Sequence, residues 1–276
     1  MKYLSFVVMA TALLLSCNNS GTDNGPSSRS DDAEELAQIL DDCFIDKQTL
    51  SNYVVIKYTN KVNGFDVVAV LNPFTYVEEW NLLLGNARIF FFGKASRPVE
   101  IDHPEFYTYL EDDVAKVESG SLIRCEYVEG YEYDENVFQN PSVSIMELGS
   151  GGPFFFLDVN FDDKPDLLLR FRFMAPFGHD GFLAFDSEVF SGDERLLKTL
   201  IPISDLDVFS EVDYVKKTLT TYHFTGTNQG EVEELVYRRQ PDGSMMISEI
   251  NVYPNWNDLV GRPIRTLKFN AEIKEP

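Results

Sequence analysis

From residue 52 onward, apolar side chains recur with a period of two, the spacing of strands that bury one face. Tyr53-Val54-Val55-Ile56-Lys57-Tyr58 and residues 65–71, 87–92 and 122–128 read as strands separated by Gly, Asn and Pro. Residues 167–173 begin with three leucines and then alternate, with Arg170 and Arg172 on one face and Leu169, Phe171 and Phe173 on the other. Residues 233–239 and 244–252 flank Gln240-Pro241-Asp242-Gly243, which predicts a hairpin with an Asp-Gly turn. A last strand is expected at 264–273. Before residue 45 the period is 3.6. Leu36, Ile39, Leu40 and Cys43 share one helical face, and Asp31 with Glu34 three residues on reads as a capping box, so a helix is expected near 32–43. Later in the chain only residues 74–84 contend as helix. Many short, evenly spaced strands predict a mainly β protein: one antiparallel all-β domain, propeller-like, barrel or sandwich, with a short N-terminal helix. No clean internal repeat is present, which counts against a regular propeller.

The first residues carry a different signal. Met1-Lys2-Tyr3 is a short basic start, and the apolar run from Leu4 to Leu15 is too short for a bilayer span, which takes about 20 residues. It fits the apolar core of a secretory signal. The run ends Leu14-Leu15-Ser16-Cys17, which resembles the bacterial lipobox. The resemblance implies cleavage of a signal peptide at 1–16 and lipidation of Cys17. Asn18, rather than an Asp, follows the Cys, and this favours outer-membrane sorting. Lipid on Cys17 would hold the protein stably at the membrane. Residues 17–30 are rich in Gly, Ser and Asn and read as a flexible tether, leaving 31–276 as the β-rich domain.

Charge narrows the choice of partner. Twenty-three Lys and Arg against 45 Asp and Glu give −22, which excludes a basic nucleic-acid binder. Removing residues 1–16 takes away one positive charge, Lys2, and leaves −23. A hydrophobic content of 44% supplies a core, so this is no disordered acidic tail. A mean hydropathy of −0.18 excludes a polytopic membrane protein. With Cys17 lipidated, Cys43 and Cys125 remain. Their pairing would close a loop of about 80 residues worth roughly 3–4 kcal/mol, and the alternative is two separately buried thiols.

One segment carries chemistry. In residues 158–166, oxygen side chains fall at loop positions 1, 3, 5 and 9, on Asp158, Asn160, Asp162 and Asp166, with the Lys164 carbonyl at position 7. This spacing lets a tight turn present its oxygens to one hard cation, and calcium takes six to eight oxygens at about 2.3–2.6 Å. The string resembles the D-x-N-x-D-G-x-x-D-L loop of FG-GAP-type calcium-binding repeats. Together with the apolar strand after Asp166 and Gly178-His179-Asp180-Gly181-Phe182-Leu183-Ala184-Phe185-Asp186, it resembles a family of Gram-negative secreted proteins and lipoproteins. Characterised relatives of that family have a propeller-like β fold related to periplasmic lysozyme inhibitors. The resemblance spans residues 140–255 and implies a calcium-stabilised β domain that binds and blocks a peptidoglycan hydrolase. Two departures stand out. Asp163 occupies position 6, where the pattern has a Gly in a left-handed backbone, and Leu169 occupies position 12, so this is not an EF-hand. The Ser-Gly pairs at 20, 119, 150 and 191 also lack the Tyr of the Ser-Gly-x-x-Tyr loop of one inhibitor class, with Phe154 in its place after Ser150-Gly151.

Other candidates carry less. His103, His179 and His223 are scattered and read as surface or turn residues. Leu148 breaks the nucleophile-elbow frame around Gly149-Ser150-Gly151. Nothing near the acidic loop resembles a nucleophile or base, so the ion is expected to be structural and the protein not an enzyme. Residues 126–135 alternate acids with Tyr. They read either as an adhesive surface for a basic protein or as an edge strand with Tyr inward and acids outward. The expected function is a lipid-anchored, calcium-binding envelope protein that engages a protein partner. The alternatives are a surface glycan-binding or glycan-processing lipoprotein and a purely structural envelope lipoprotein.

Overall fold

The computed structural model describes residues 28–94, 96–110, 117–125, 142–145, 152–171, 181–185, 206–207, 209–224 and 230–269. Among the described residues, helix α1 (Ser28–Asp42) precedes fifteen strands. The first five are β1 (Val54–Tyr58), β2 (Asp66–Val77), β3 (Leu82–Phe92), β4 (Val99–Tyr109) and β5 (Ser121–Cys125). Then come β6 (Val143–Ser144), β7 (Phe154–Leu157), β8 (Asp166–Phe171), β9 (Gly181–Phe185) and β10 (Leu206–Asp207). The last are β11 (Glu211–Asp213), β12 (Thr218–Phe224), β13 (Val232–Arg239), β14 (Met245–Tyr253) and β15 (Arg265–Lys268). The protein is mainly β, as its periodicity predicts. Cys17, the signal peptide and the Tyr-rich run 126–135 lie outside the described residues.

The strands form three sheets, in the orders β4-β3-β2-β1-β5, β10-β9-β8-β7 and β15-β14-β13-β12-β11-β6, and none of the described strands closes a barrel. Side-chain alternation stacks these sheets in layers. Phe154 and Phe156 of β7 and Leu167, Leu169 and Phe171 of β8 pack with Val54, Ile56, Ala69 and Ile89 of the first sheet. The intervening Phe155, Leu157 and Leu168 pack with Leu219, Leu235 and Tyr237 of the third sheet. The central sheet is therefore buried on both faces, which is why β7 and the start of β8 are unbroken apolar runs. The outer face of the first sheet is covered by α1, whose Leu36, Ile39, Leu40 and the following Cys43 meet Val55, Val68, Val70 and Phe90.

Several expectations need correction. The fold is not wholly antiparallel, because β5 pairs in parallel with β1. Four meandering strands bring the chain back to the end of the sheet where β1 starts. β5 then pairs with the other edge of β1 and runs in its direction. The capping box is displaced, since α1 begins at Ser28 and Asp31 lies inside its first turn, where a carboxylate still favours the positive end of the helix. The same start takes residues 28–30 from the expected tether. Residues 74–84 form no helix. They finish β2, make a single 3-10 turn at Glu78–Trp80 and begin β3, with Asn81 in the left-handed region at φ 49°. A strand wins there because Thr75, Tyr76 and Val77 pair with Leu84, Leu83 and Leu82. Beside this hairpin, Gly85 passes so close to β2 that a Cβ on it would lie 2.2 Å from the Asn72 carbonyl oxygen.

Ion pairs fasten α1 to the sheet: Lys57 Nζ lies 2.6 Å from Glu35, and Arg124 reaches Asp32 at 3.0 Å and Glu35 as well. Both cations hold the Glu35 carboxyl below the usual carboxylate range, Lys57 most strongly. These groups are largely exposed, so Arg124→Met is expected to cost no more than about 1 kcal/mol, measured by urea unfolding at low and high salt. A larger cost that salt does not change would mean that Arg124 acts through packing.

Candidate metal centre

The acidic loop is the turn between β7 and β8. It reverses sharply because Phe161 and Asp163 both take left-handed backbone angles, φ 61° and 64°. Position 6 thus has the conformation for which the calcium-loop pattern uses Gly, and Asp163 reaches it with an exposed side chain. A non-glycine residue there costs about 1–2 kcal/mol. Buried neighbours hold the loop. Val159 and Phe161 enter the core between the central and third sheets, and the Phe161 ring lies 5.9 Å from that of Tyr214. The Tyr214 hydroxyl donates to the Asp158 carbonyl at 3.0 Å, and Arg239 Nη1 donates to the Phe161 carbonyl at 3.2 Å.

Inside this frame Asp158, Asn160 and Asp166 are buried. Asp158 Oδ1 and Asn160 Oδ1 both accept from the Asp162 amide, at 3.2 and 3.0 Å, so the two oxygens lie within hydrogen-bond reach of a single N–H. Asp158 Oδ2 accepts from the Asp163 amide at 3.0 Å, and Asp162 Oδ1 accepts from the Lys164 amide at 3.0 Å. Asp166 turns the other way: its Oδ2 accepts from the Val159 and Asn160 amides at 3.0 and 3.3 Å, and its Oδ1 accepts from Asn160 Nδ2 at 3.4 Å. The structure therefore brings the Asp158 and Asn160 oxygens together on the Asp162 amide, turns the Asp162 carboxylate to the Lys164 amide, uses Asp166 to staple the base of the loop, and leaves the Lys164 side chain exposed. Among the described residues, no three Asp, Glu, His or Cys side chains are grouped closely enough to form a metal cluster as they stand. Burial pushes the Asp158 carboxyl up to about 6 against its amide hydrogen bonds, and the Asp162 charge adds to the rise. The donor set is oxygen alone, Asp, Asn and Asp on one tight turn, and that chemistry fits a hard cation.

The other sequence-level candidates separate. Cys43 packs beneath α1 on the outer face of the first sheet, whereas Cys125 packs against the core on its inner face, so the sheet stands between them. No disulfide joins them, since no bridge can span a sheet. Burial, followed by the Asp42 charge, pushes the Cys43 thiol up to about 12. His223 is exposed beside Glu233 at 3.6 Å. His103 corrects the surface reading, being fully buried with Nε2 3.0 Å from the Pro153 carbonyl. His179 lies outside the described residues. Sequence reasoning missed Tyr214 and Arg239, which grip the loop from 56 and 78 residues away, and no local pattern marks them.

No family model matches the chain, and no curated protein does. A solved structure described as a Xanthomonas type IV secretion system related protein is similar at 13% identity. The match covers 75% of this chain and 85% of that one at a TM-score of 0.43, a likeness too distant to carry an argument about either site or function.

Proposed function

We propose that this protein is a calcium-binding, lipid-anchored envelope protein that binds a basic protein partner and inhibits a peptidoglycan hydrolase. The single observation that carries the calcium reading is the tight turn in which buried Asp158 and Asn160 aim their side-chain oxygens at the one amide of Asp162, itself an acidic residue. Asp158, Asn160, Asp162 and the Lys164 carbonyl would hold the ion, and Asp166, which now staples the base of the loop, would have to turn from its amide partners to join them. The ion would neutralise carboxylates that burial otherwise penalises and would lock the turn between β7 and β8. Its role is structural. Lipid on Cys17 supplies the anchor, and the excess of 45 acidic over 23 basic side chains favours cationic partners and repels anionic ones.

Calcium at 100-fold above its Kd is expected to add about 2.7 kcal/mol to unfolding stability, a rise in Tm of several degrees that EDTA reverses. Asp158→Ala should abolish the shift. No calorimetric heat and an unchanged Tm with EDTA would overturn the calcium reading. For the partner, excess calcium-loaded protein is expected to slow muramidase action on peptidoglycan at low salt. An unchanged rate would remove the hydrolase as target.

A further inference from the structure

The outer face of the third sheet carries an aromatic cluster that the calcium loop does not use. Tyr222 on β12 and Trp256, just after β14, meet there, and Phe209, just before β11, reaches Trp256 from its packing against the core between the central and third sheets. The Trp256 ring is 4.8 Å from Phe209 and 5.3 Å from Tyr222, centroid to centroid, and Trp256 is 36% exposed. Carboxylates surround the rings. Glu234 sits directly across from Tyr222, and Glu211 sits across from Thr220, two residues along the same face. Each acid here is held by neutral donors: Glu234 by Asn251 Nδ2 at 2.8 Å and the Tyr253 hydroxyl at 3.3 Å, and Glu211 by the Ser142 hydroxyl at 3.3 Å. Asp207, on β10, accepts from the Phe209 amide at 2.9 Å and the Ser210 hydroxyl at 3.1 Å among its contacts. Among the described cations of this sheet, Lys216 pairs with Asp213 at 2.9 Å and Lys268 with Glu249 at 3.4 Å, while Arg238 sits across from Thr218, the next position of that face beyond Thr220. Tyr222 registers the result: burial raises its phenol above the ordinary range, and Glu211, Glu234 and Asp207 add to the rise.

Electron-rich ring faces framed by carboxylates attract ammonium and guanidinium groups, and Trp is the strongest aromatic partner. The same surface repels anions, and a second copy of a chain at −22 is opposed by its own charge. We propose that the face formed by Phe209, Tyr222 and Trp256, framed by Glu211 and Glu234, docks arginine or lysine side chains of a basic protein. This deepens the binding function proposed above and rests on that reading for the nature of the partner.

The chain has two tryptophans, so Trp80→Phe leaves Trp256 as the sole indole reporter. Poly-L-arginine added to calcium-loaded Trp80→Phe protein at low salt is expected to give a saturable change in Trp256 emission that high salt reverses. Measured calorimetrically, the double variant Glu211→Gln/Glu234→Gln keeps the hydrogen-bonding groups and removes two charges. It should weaken binding about ten-fold, and Tyr222→Ala several-fold. Glu78→Gln/Glu79→Gln, at the distant tip between β2 and β3, removes the same charge and should change affinity less than two-fold. Equal losses in the two double variants, or binding without any change in Trp256 emission, would overturn the assignment, as would emission changes that track self-association. The two readings fail separately. Muramidase inhibition that survives Glu211→Gln/Glu234→Gln unaltered defeats this docking surface and leaves the inhibitor reading intact. Site-specific poly-L-arginine binding without muramidase inhibition supports the surface and removes the hydrolase.

Discussion

Leu168→Ala is expected to destabilise the protein by about 3–4 kcal/mol, because it opens a cavity in the central sheet, which is buried on both faces. Leu168 is fully buried, as are Leu167 and Leu169, which point to the opposite core. Neighbouring strands on both sides are fixed by pairing, β7 through Phe155 and β9 through Ala184, so the site has little freedom to collapse around the lost atoms. Urea unfolding should show the midpoint falling with the slope unchanged. Val260→Ala is the comparison: at 99% exposure it should shift stability by less than about 0.5 kcal/mol. A loss below about 1 kcal/mol for Leu168→Ala would contradict burial of the central sheet between two cores.

The second large effect is the loss, below pH 6.5, of the stability that depends on a neutral His103. The ring lies against Phe106 at 5.6 Å and Phe171 at 5.3 Å, with no solvent exposure. Its Nδ1 accepts from the Glu105 amide at 3.3 Å, and Nε2–H donates to the Pro153 carbonyl at 3.0 Å, an arrangement that suits the neutral ring. Burial lowers its pKa to about 4, although the Pro153 carbonyl favours the protonated form. The unfolded chain titrates near the ordinary 6.5. Above that value both states are neutral and the group contributes no pH dependence. Between about 6.5 and 4 the unfolded state binds a proton that the native state refuses, so stability falls as pH falls. At about 1.4 kcal/mol per pH unit the full loss is about 3 kcal/mol. The change in unfolding free energy between pH 7.5 and 4.5 should therefore differ by about 3 kcal/mol between His103→Gln and the parent, since the variant lacks this proton uptake, while the raised Asp158 carboxyl acts in the opposite sense in both proteins. An identical pH dependence in both proteins would show that His103 is not the group responsible. His103 also has a structural reach, because with the Tyr107 hydroxyl, which donates to Gly152 at 2.8 Å, it ties β4 to the entry of β7.

Some of this was legible in the residues alone. The helical face of Leu36, Ile39, Leu40 and Cys43 is buried, and the strands expected at 53–58, 65–71 and 87–92 are present in β1, β2 and β3. The β13–β14 hairpin closes as expected, with the Gly243 amide bonded to the Gln240 carbonyl at 2.9 Å and Gly243 at φ 87°. The acidic loop has the left-handed residue at position 6 that its spacing calls for. Each of these features depends on residues a few positions apart, where side-chain period, backbone sterics and short-range hydrogen bonds decide the outcome. Residues 74–84 fell to the wrong element because a short apolar run reads alike in both periods, and pairing with a neighbouring strand settles it.

What only the tertiary structure decided is which of these local pieces face one another. Sequence spacing brought Asp158, Asn160 and Asp162 onto one turn, but the burial that raises Asp158 comes from layers built by residues far along the chain. The parallel seating of β5 and the sheet between Cys43 and Cys125 follow from strand order, which no local period encodes. The same holds for His103 in the core, for the grip of Tyr214 and Arg239 on the loop, and for the meeting of Phe209, Tyr222 and Trp256. Periodicity says that a side chain is on a buried face. Only the packing of sheet on sheet says against what, and that contact sets its desolvation, its charge environment and its chemistry.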